Sequence, residues 1–185
     1  MDQPHRRIGK KAKLEADIYF SDDEEEICLE MTRRREDVIS WQDYFMAVAC
    51  LAAQRSKDPD TQVGACIVNK DNRIISIGYN GLPNGYPDAE FTWAREDKLY
   101  VCHAEMNAIV NKNCTDVKGC HIYVKLFPCN ECAKIIIQSG ISKVYYLSDE
   151  KNDKRKYQVA QKMFIAANVE FEKYVPTRRR IEIIF

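Results

Sequence analysis

Near residue 40 the chain changes from a polar to a patterned sequence, and apolar side chains begin to recur at helical spacing. Ser40 is suited to cap the helix that this spacing predicts over residues 41–52. Two β-branched runs follow at 63–69 and 73–78, and the short polar link between them predicts a hairpin. Residues 79–97 hold too many glycines and prolines for regular structure, so we expect a long loop, which in compact domains is often functional.

Helical and strand patterns alternate along the second half of the chain. They predict helices over 103–112, 129–139 and 156–167, and strands over 120–124, 143–147 and 169–171. This alternation predicts an α/β fold, a three-layer α/β/α sandwich in which helices cover both faces of a mixed five-stranded sheet.

The first 38 residues are organised differently, in blocks of alternating charge with few large apolar side chains. Such a composition buries too little surface to offset chain entropy, so we predict a disordered tail at 1–38, a folded domain at 39–175 and a C-terminal tail at 176–185. Ser21 precedes an acidic run and could be a kinase site, and the basic stretches could be a nuclear-import signal. A solvated tail without a dedicated role is the favoured interpretation.

The composition narrows the choice of partners. Basic and acidic residues both total 28, so no net field draws the protein to nucleic acid or to a membrane surface. No apolar run approaches the roughly 20 residues that span a bilayer. Eight cysteines without an apolar leader indicate reduced thiols, and hence a cytoplasmic protein for which the basic stretches leave nuclear presence open.

Two short motifs bring metal ligands and a carboxylate together. Residues 103–105 are His-Ala-Glu and residues 128–132 are Pro-Cys-Asn-Glu-Cys, the H-x-E and P-C-x-x-C spacing of zinc-dependent deaminases. His103, Cys129 and Cys132 supply the three ligands of a catalytic zinc site with an open fourth position. Both motifs begin helices, where the dipole favours thiolates. A closed structural zinc site is the alternative, but it would need a fourth ligand.

Glu105 is the candidate for proton transfer. Zinc lowers the pKa of its water toward neutrality but does not move protons between atoms. A carboxylate two residues from His103 could accept the water proton, deliver it to ring N3 of a cytosine-type base and help protonate the amine that leaves C4. A closed apolar pocket would raise the pKa of this carboxylate, which suits the role.

These motifs and their flanks resemble the cytidine and deoxycytidylate deaminase superfamily, especially its deoxycytidylate branch. The resemblance runs from about 41 to about 171 and is most specific at 56–59, 61–68, 78–81, 83–85, 102–105 and 126–134. It implies the sheet of the cytidine deaminase type and makes residues 39–175 a zinc-dependent CMP/dCMP-type deaminase domain.

The resemblance also implies an activity and its regulation. The implied reaction is hydrolysis of dCMP to dUMP and ammonia, which supplies dUMP for thymidylate synthesis. The implied assembly is a homo-oligomer, commonly a hexamer, activated by dCTP and inhibited by dTTP, both with Mg²⁺. The effector site would lie near the loop at 78–85, with candidate contacts at Tyr79, Asn80, Gly81, Asn84 and Gly85.

Candidate substrate contacts lie at the end of the first helix and after the second strand. Arg55, Ser56 and Lys57 could bind a nucleotide phosphate. Asn80 could hydrogen-bond the sugar hydroxyl. Ordinary roles remain open, since cations at a helix end are often only solvated and a loop asparagine often serves a turn.

Three further candidates adjoin the motifs. Phe127 and Ala104 are candidate pocket walls. Lys151 stands where relatives often place a tyrosine near the substrate phosphate, and a lysine could bind phosphate as a point charge. The loop at 86–100 is shorter than in vertebrate relatives, and its Trp93 could be a lid, an effector contact or part of an oligomer interface.

Other functions share the metal chemistry. A polynucleotide deaminase would need a basic groove with stacking platforms, which the balanced charge does not favour. A cytidine deaminase would act without a phosphate on its substrate. A silent subunit that keeps zinc for stability would not need Glu105, which is present.

Overall fold

The computed structural model describes residues 32–87, 91–94, 97–151 and 154–185. By its internal contacts the chain divides into two units, Met1–Val38 and Ile39–Phe185. Most of the predicted tail, including Ser21 and the first basic stretch, lies outside the described residues. Residues 32–38 are exposed.

A mixed five-stranded sheet organises the second unit. Its strands are β1 (Gly64–Val68), β2 (Ile74–Tyr79), β3 (His121–Leu126), β4 (Lys143–Ser148) and β5 (Glu170–Lys173), in the order β2-β1-β3-β4-β5. The strand β1 is antiparallel to both β2 and β3, whereas β3 and β4, and β4 and β5, are parallel. The predicted hairpin between β1 and β2 is therefore confirmed.

Helices cover both faces of this sheet, as predicted. They are α1 (Trp41–Ala53), α2 (Ala104–Val110), α3 (Asn130–Gln138) and α4 (Arg155–Ala166). One core cluster joins α1 to one face, and a second joins α2, α3 and α4 to the other. Element ends differ from the predicted ones by no more than two residues. Among the described residues, no helix combines the length and apolar composition that crossing a membrane requires.

The N-terminus of α1 is fastened to the end of the chain through the buried carboxylate of Asp43. This group accepts hydrogen bonds from the hydroxyls of Ser40 (3.1 Å), Tyr174 and Thr177. Burial raises the pKa of Asp43, but these hydrogen bonds outweigh it and lower the pKa overall. Thr177 belongs to the predicted C-terminal tail, so the chain contacts the domain beyond residue 175.

Gly78 in β2 lets α2 approach the sheet closely. A Cβ at this position would lie 2.3 Å from both the Ala104 carbonyl oxygen and the Ala108 amide nitrogen. We expect Gly78→Ala to displace α2 and lower the free energy of unfolding by about 3 kcal/mol, as overpacking against rigid backbone does. Urea unfolding would measure the loss. Gly81→Ala is the control, because its Cβ would meet only the Tyr79 side chain at 3.8 Å, and a similar loss there would contradict the explanation.

Candidate active site

A cavity of about 320 Å³ opens beside the N-termini of α2, α3 and α4. It contains most of the predicted catalytic, metal-binding and substrate-binding residues. Seven of them line it: Asn80, His103, Ala104, Glu105, Phe127, Cys129 and Lys151. The third predicted ligand, Cys132, lies one helical turn into α3 behind this wall.

The three predicted metal ligands meet at the starts of two helices. His103 and Cys129 are the N-cap residues of α2 and α3, and both have extended backbone. Because Cys132 follows Cys129 by one turn, both sulfurs reach the imidazole. Nδ1 of His103 lies 3.3 Å from Sγ of Cys132 and 3.4 Å from Sγ of Cys129.

This donor set fits zinc. One nitrogen and two sulfurs lie within 4.8 Å of one another. In a tetrahedral site with ordinary zinc–sulfur and zinc–nitrogen bonds, such ligand atoms are about 3.6 Å apart, close to the separations seen here. A set of three protein ligands would leave one coordination position for water or substrate. Two of the three, His103 and Cys129, line the cavity.

The pKa values of the two cysteine thiols are shifted in opposite directions. Hydrogen bonds with Cys132 and His103 lower the pKa of Cys129 well below its usual range, against the effect of burial. The same hydrogen bond and burial raise the pKa of Cys132. Cys129 is therefore a thiolate at neutral pH, the form in which a cysteine binds a metal.

Glu105 lies in the first turn of α2 and is only 4% exposed. Burial raises the pKa of its carboxyl group, although the neighbouring His103 opposes this effect. A buried carboxyl group with a raised pKa, on the wall of a cavity and beside a metal site, can both accept and return a proton near neutral pH.

Asn80 lines the cavity, but both polar atoms of its side chain already form hydrogen bonds with backbone groups. Its Oδ1 accepts from the amide of Val63 at 2.9 Å, and its Nδ2 donates to the carbonyl of Thr61 at 3.0 Å. These hydrogen bonds hold the segment that leads into β1 against the loop that follows β2. The side chain is thus fixed in place, and its Oδ1 retains a second lone pair for a ligand.

Cations gather at one side of the cavity. Lys98 forms ion pairs with Asp58 (3.0 Å) and Asp60 (2.6 Å), which join the 3₁₀ helix Asp97–Tyr100 to the segment between α1 and β1. Lys151 donates to the hydroxyl of Thr61 at 3.3 Å, and Lys156 comes from the first turn of α4. Burial lowers the pKa of Lys151, Glu150 opposes this effect, and the neighbouring lysines add to the lowering.

A second cavity of about 280 Å³ contains the other group of predicted contacts. All five predicted effector contacts line it, together with Trp93. Arg55 and Lys57, predicted as substrate contacts, lie here and not on the cavity of Glu105. Ser56 lines neither cavity, and its hydroxyl accepts from the amide of Asp58 at 3.3 Å.

The sequence did not predict four ionisable residues of the first cavity: Asp58, Lys98, Lys156 and Tyr157. Lys98 lies in a one-turn 3₁₀ helix at the end of the predicted loop. Tyr157 looked like an ordinary apolar position of α4. The sequence signal at this helix is its three successive cations, 154–156, which stand where the dipole disfavours positive charge and therefore suit an anion site.

Comparison with known proteins agrees with the resemblance. Residues 39–148 match the family model described as the cytidine and deoxycytidylate deaminase zinc-binding region. The human deoxycytidylate deaminase is 56% identical over 160 residues, which cover 83% of this chain and 90% of the human protein. A probable deoxycytidylate deaminase of Drosophila melanogaster is 47% identical over 166 residues, covering 83% and 82%.

Solved structures agree with the fold. The dCMP deaminase of cyanophage S-TIM5 in complex with dCMP and dUMP superimposes with a TM-score of 0.61 at 27% identity. The match covers 77% of this chain and 100% of the phage chain. The mixed five-stranded sheet with its helices is therefore shared with that structure.

Proposed function

Because the chain belongs to the cytidine and deoxycytidylate deaminase family, we propose that it hydrolyses dCMP to dUMP and ammonia. One observation supports this most directly. The buried carboxyl group of Glu105 lies on the same cavity wall as His103 and Cys129, with Cys132 directly behind them. The product would feed thymidylate synthesis.

The metal and the side chains of the protein contribute different parts of the reaction. Zinc held by His103, Cys129 and Cys132 supplies, when bound, a water whose pKa is lowered toward neutrality. Glu105 accepts a proton as the nucleophile adds to C4 of the base, and passes it to ring N3. The same carboxylate then takes the second proton from the new hydroxyl on C4 and delivers it to the amine, so that the bond from C4 to nitrogen breaks, ammonia leaves and a carbonyl remains at C4. Its raised pKa supports both directions of transfer.

The side walls would hold the rest of the nucleotide. Phe127 and Ala104 form an apolar part of the cavity wall. Asn80 offers a lone pair of its Oδ1 to the sugar hydroxyl. Lys151 is the one predicted phosphate contact that lies on this cavity. Its amine is part-buried and surrounded by other lysines, so a phosphate would relieve their repulsion.

Ammonia release from the purified protein tests the proposed activity. The substrates are dCMP, cytidine, dCTP and a single-stranded oligodeoxynucleotide. We expect turnover of dCMP to exceed that of the others clearly. Preferred turnover of cytidine would indicate a nucleoside deaminase, and turnover of the oligonucleotide would indicate a polynucleotide deaminase. Zinc binding without any turnover would indicate the silent subunit.

Regulation by dCTP and dTTP, each with Mg²⁺, fits the second cavity. This cavity combines the flexible turn at Gly81 and Gly85 with two cations, Arg55 and Lys57. Asn80 lines both cavities, and its side chain joins the backbone at Thr61 and Val63. A nucleotide bound at the second cavity would therefore act on the substrate cavity through the position of Asn80.

Arg55 discriminates between the two assignments of the second cavity. If it binds an effector phosphate, Arg55→Gln should raise the dCTP concentration for half-maximal activation about tenfold, since a charge-assisted hydrogen bond is lost. Activity against dCTP concentration, at fixed dCMP and Mg²⁺, measures the shift. If Arg55 binds the substrate phosphate instead, the KM for dCMP without effector rises by a similar factor, and the effector assignment is wrong.

The homo-oligomer stays a prediction, with a hexamer favoured. Exposed apolar side chains on the helices support it, among them Trp41 and Leu51 on α1 (both 55% exposed) and Val110 on α2 (65%). Light scattering would measure the subunit number. Cytoplasmic localisation, nuclear presence and the absence of a nucleic-acid partner also stay predictions.

A further inference from the structure

Tyr157 is a buried phenol without an evident structural use for its hydroxyl. The residue is 5% exposed and lines the cavity of Glu105 from the first turn of α4. Among the residues that the structure describes, its hydroxyl has no hydrogen-bond partner. Buried tyrosine hydroxyls usually have one, and phenylalanine would fill the same space. The hydroxyl is therefore available to a molecule that enters the cavity.

The start of α4 is suited to an anion. This helix has 12 residues, and its N-cap residue Lys154 makes no side-chain capping bond. The first amide groups of a helix have no partner within it and point outward at the positive end of the dipole. Arg155 and Lys156 follow, although cations are unfavourable at this end. A bound anion would satisfy the amide groups and offset the charge.

Other donors converge on the same side of the cavity. The amine of Lys156 lies 5.1 Å from the centre of the Tyr157 ring. Lys151 lines the cavity and donates to Thr61. Lys98 forms ion pairs with Asp58 and Asp60. Among the residues that the structure describes, neither Lys151 nor Lys156 forms a salt bridge, although Glu150 lies near enough to Lys151 to oppose the lowering of its pKa. These two lysines are the charges that a ligand can meet.

We propose that the phosphate of the bound nucleotide lies at the N-terminus of α4, where the Tyr157 hydroxyl donates to it beside Lys156 and Lys151. The inference rests on the proposed function and adds to it the residues that select a phosphorylated substrate. Burial raises the pKa of Tyr157 to about 12, so the phenol is a neutral donor at physiological pH. No proton transfer is required of it.

Tyr157→Phe tests the proposal with deletion of a single oxygen. We expect kcat/KM for dCMP to fall about tenfold to a hundredfold, the usual effect of losing a hydrogen bond to a charged group. Turnover of deoxycytidine, which has no phosphate, should not change. Inorganic phosphate should compete with dCMP, and its inhibition constant should rise by a similar factor. Thermal stability should be retained, because the deleted hydroxyl has no hydrogen-bond partner among the described residues.

The neighbouring cations Lys156 and Arg155 provide a matched pair of variants, one on the cavity and one away from it. Lys156→Gln should lower kcat/KM for dCMP about tenfold, since the lost charge faces the phosphate. Arg155→Gln removes a charge from the same turn that does not line the cavity, so its effect should stay within about twofold. Equal losses in both variants would indicate a general field of the helix end and overturn the specific contact.

The outcomes separate this inference from the proposed function. Without dCMP turnover in the unaltered protein, both are wrong. If dCMP is turned over normally by Tyr157→Phe, or if dCMP and deoxycytidine lose activity equally, only the assignment of Tyr157 is overturned. A preferential loss on dCMP with a raised phosphate inhibition constant supports it.

Discussion

Glu105→Gln is expected to lower kcat for dCMP by about a thousandfold, within the range that positioned acid–base groups contribute. The amide keeps the size of the side chain in a site that is 4% exposed, but it can neither accept a proton from the nucleophile nor return one to N3 and the departing amine. Because Glu105 is not one of the three ligands, the zinc content should be unchanged. Steady-state kinetics and metal analysis on the same sample check both statements.

Glu105→Ala separates proton transfer from packing. It should lose turnover as Glu105→Gln does, with zinc retained, and differ only through the space it leaves in the wall of the cavity. The KM for dCMP should change little in Glu105→Gln, since the missing step follows binding. Full residual activity in either variant would show that another group moves the protons, and the mechanism would be wrong.

The metal centre could be predicted because its geometry is local. Two cysteines separated by three positions at the start of a helix must face one ion, whatever the fold around them. The approach of the N-termini of α2 and α3 to each other is the part of the metal centre that only the structure shows. The alternation of strands and helices already predicted that both helices pack on one sheet. The order β2-β1-β3-β4-β5 brings His103 within 3.4 Å of both sulfurs.

The substrate side could not be predicted in this way. Arg55 and Lys57 leave the end of α1, and which cavity they reach depends on how the following loop turns around Asp58. Lys98 and Asp58 are 40 residues apart in sequence, so their ion pair depends on the tertiary structure. The placement of loops determines pocket walls of this kind, and hydrophobic periodicity does not predict it.

A similar limit applies to Tyr157. In the sequence it is an apolar position at the start of an amphipathic helix, and burial alone would explain it. Its proposed role rests on two facts that only the three-dimensional structure shows: the hydroxyl has no hydrogen-bond partner among the described residues, and the cavity lies beside it.

Cys132→Ala should abolish zinc binding and reduce turnover to background. Two ligands remain, His103 and Cys129, and a catalytic zinc site needs three from the protein. Cys132 is 3% exposed and lies in the core of the sheet face that α3 covers, so loss of the metal should also lower stability. Bound zinc stabilises a fold by about 4 kcal/mol when its free concentration is 1,000 times the dissociation constant.

Comparison with chelator-treated protein distinguishes metal loss from simple core damage. A chelator should lower the Tm of the unaltered protein but leave that of Cys132→Ala unchanged, because the variant has no zinc to lose. Cys66→Ala is the matched control, because Cys66 is fully buried in the core cluster on the opposite face of the sheet, away from the three ligands. It should lose some stability but keep zinc, turnover and the response to chelator. If Cys132→Ala retained zinc and activity, the ligand set would be wrong and so would the chemistry built on it.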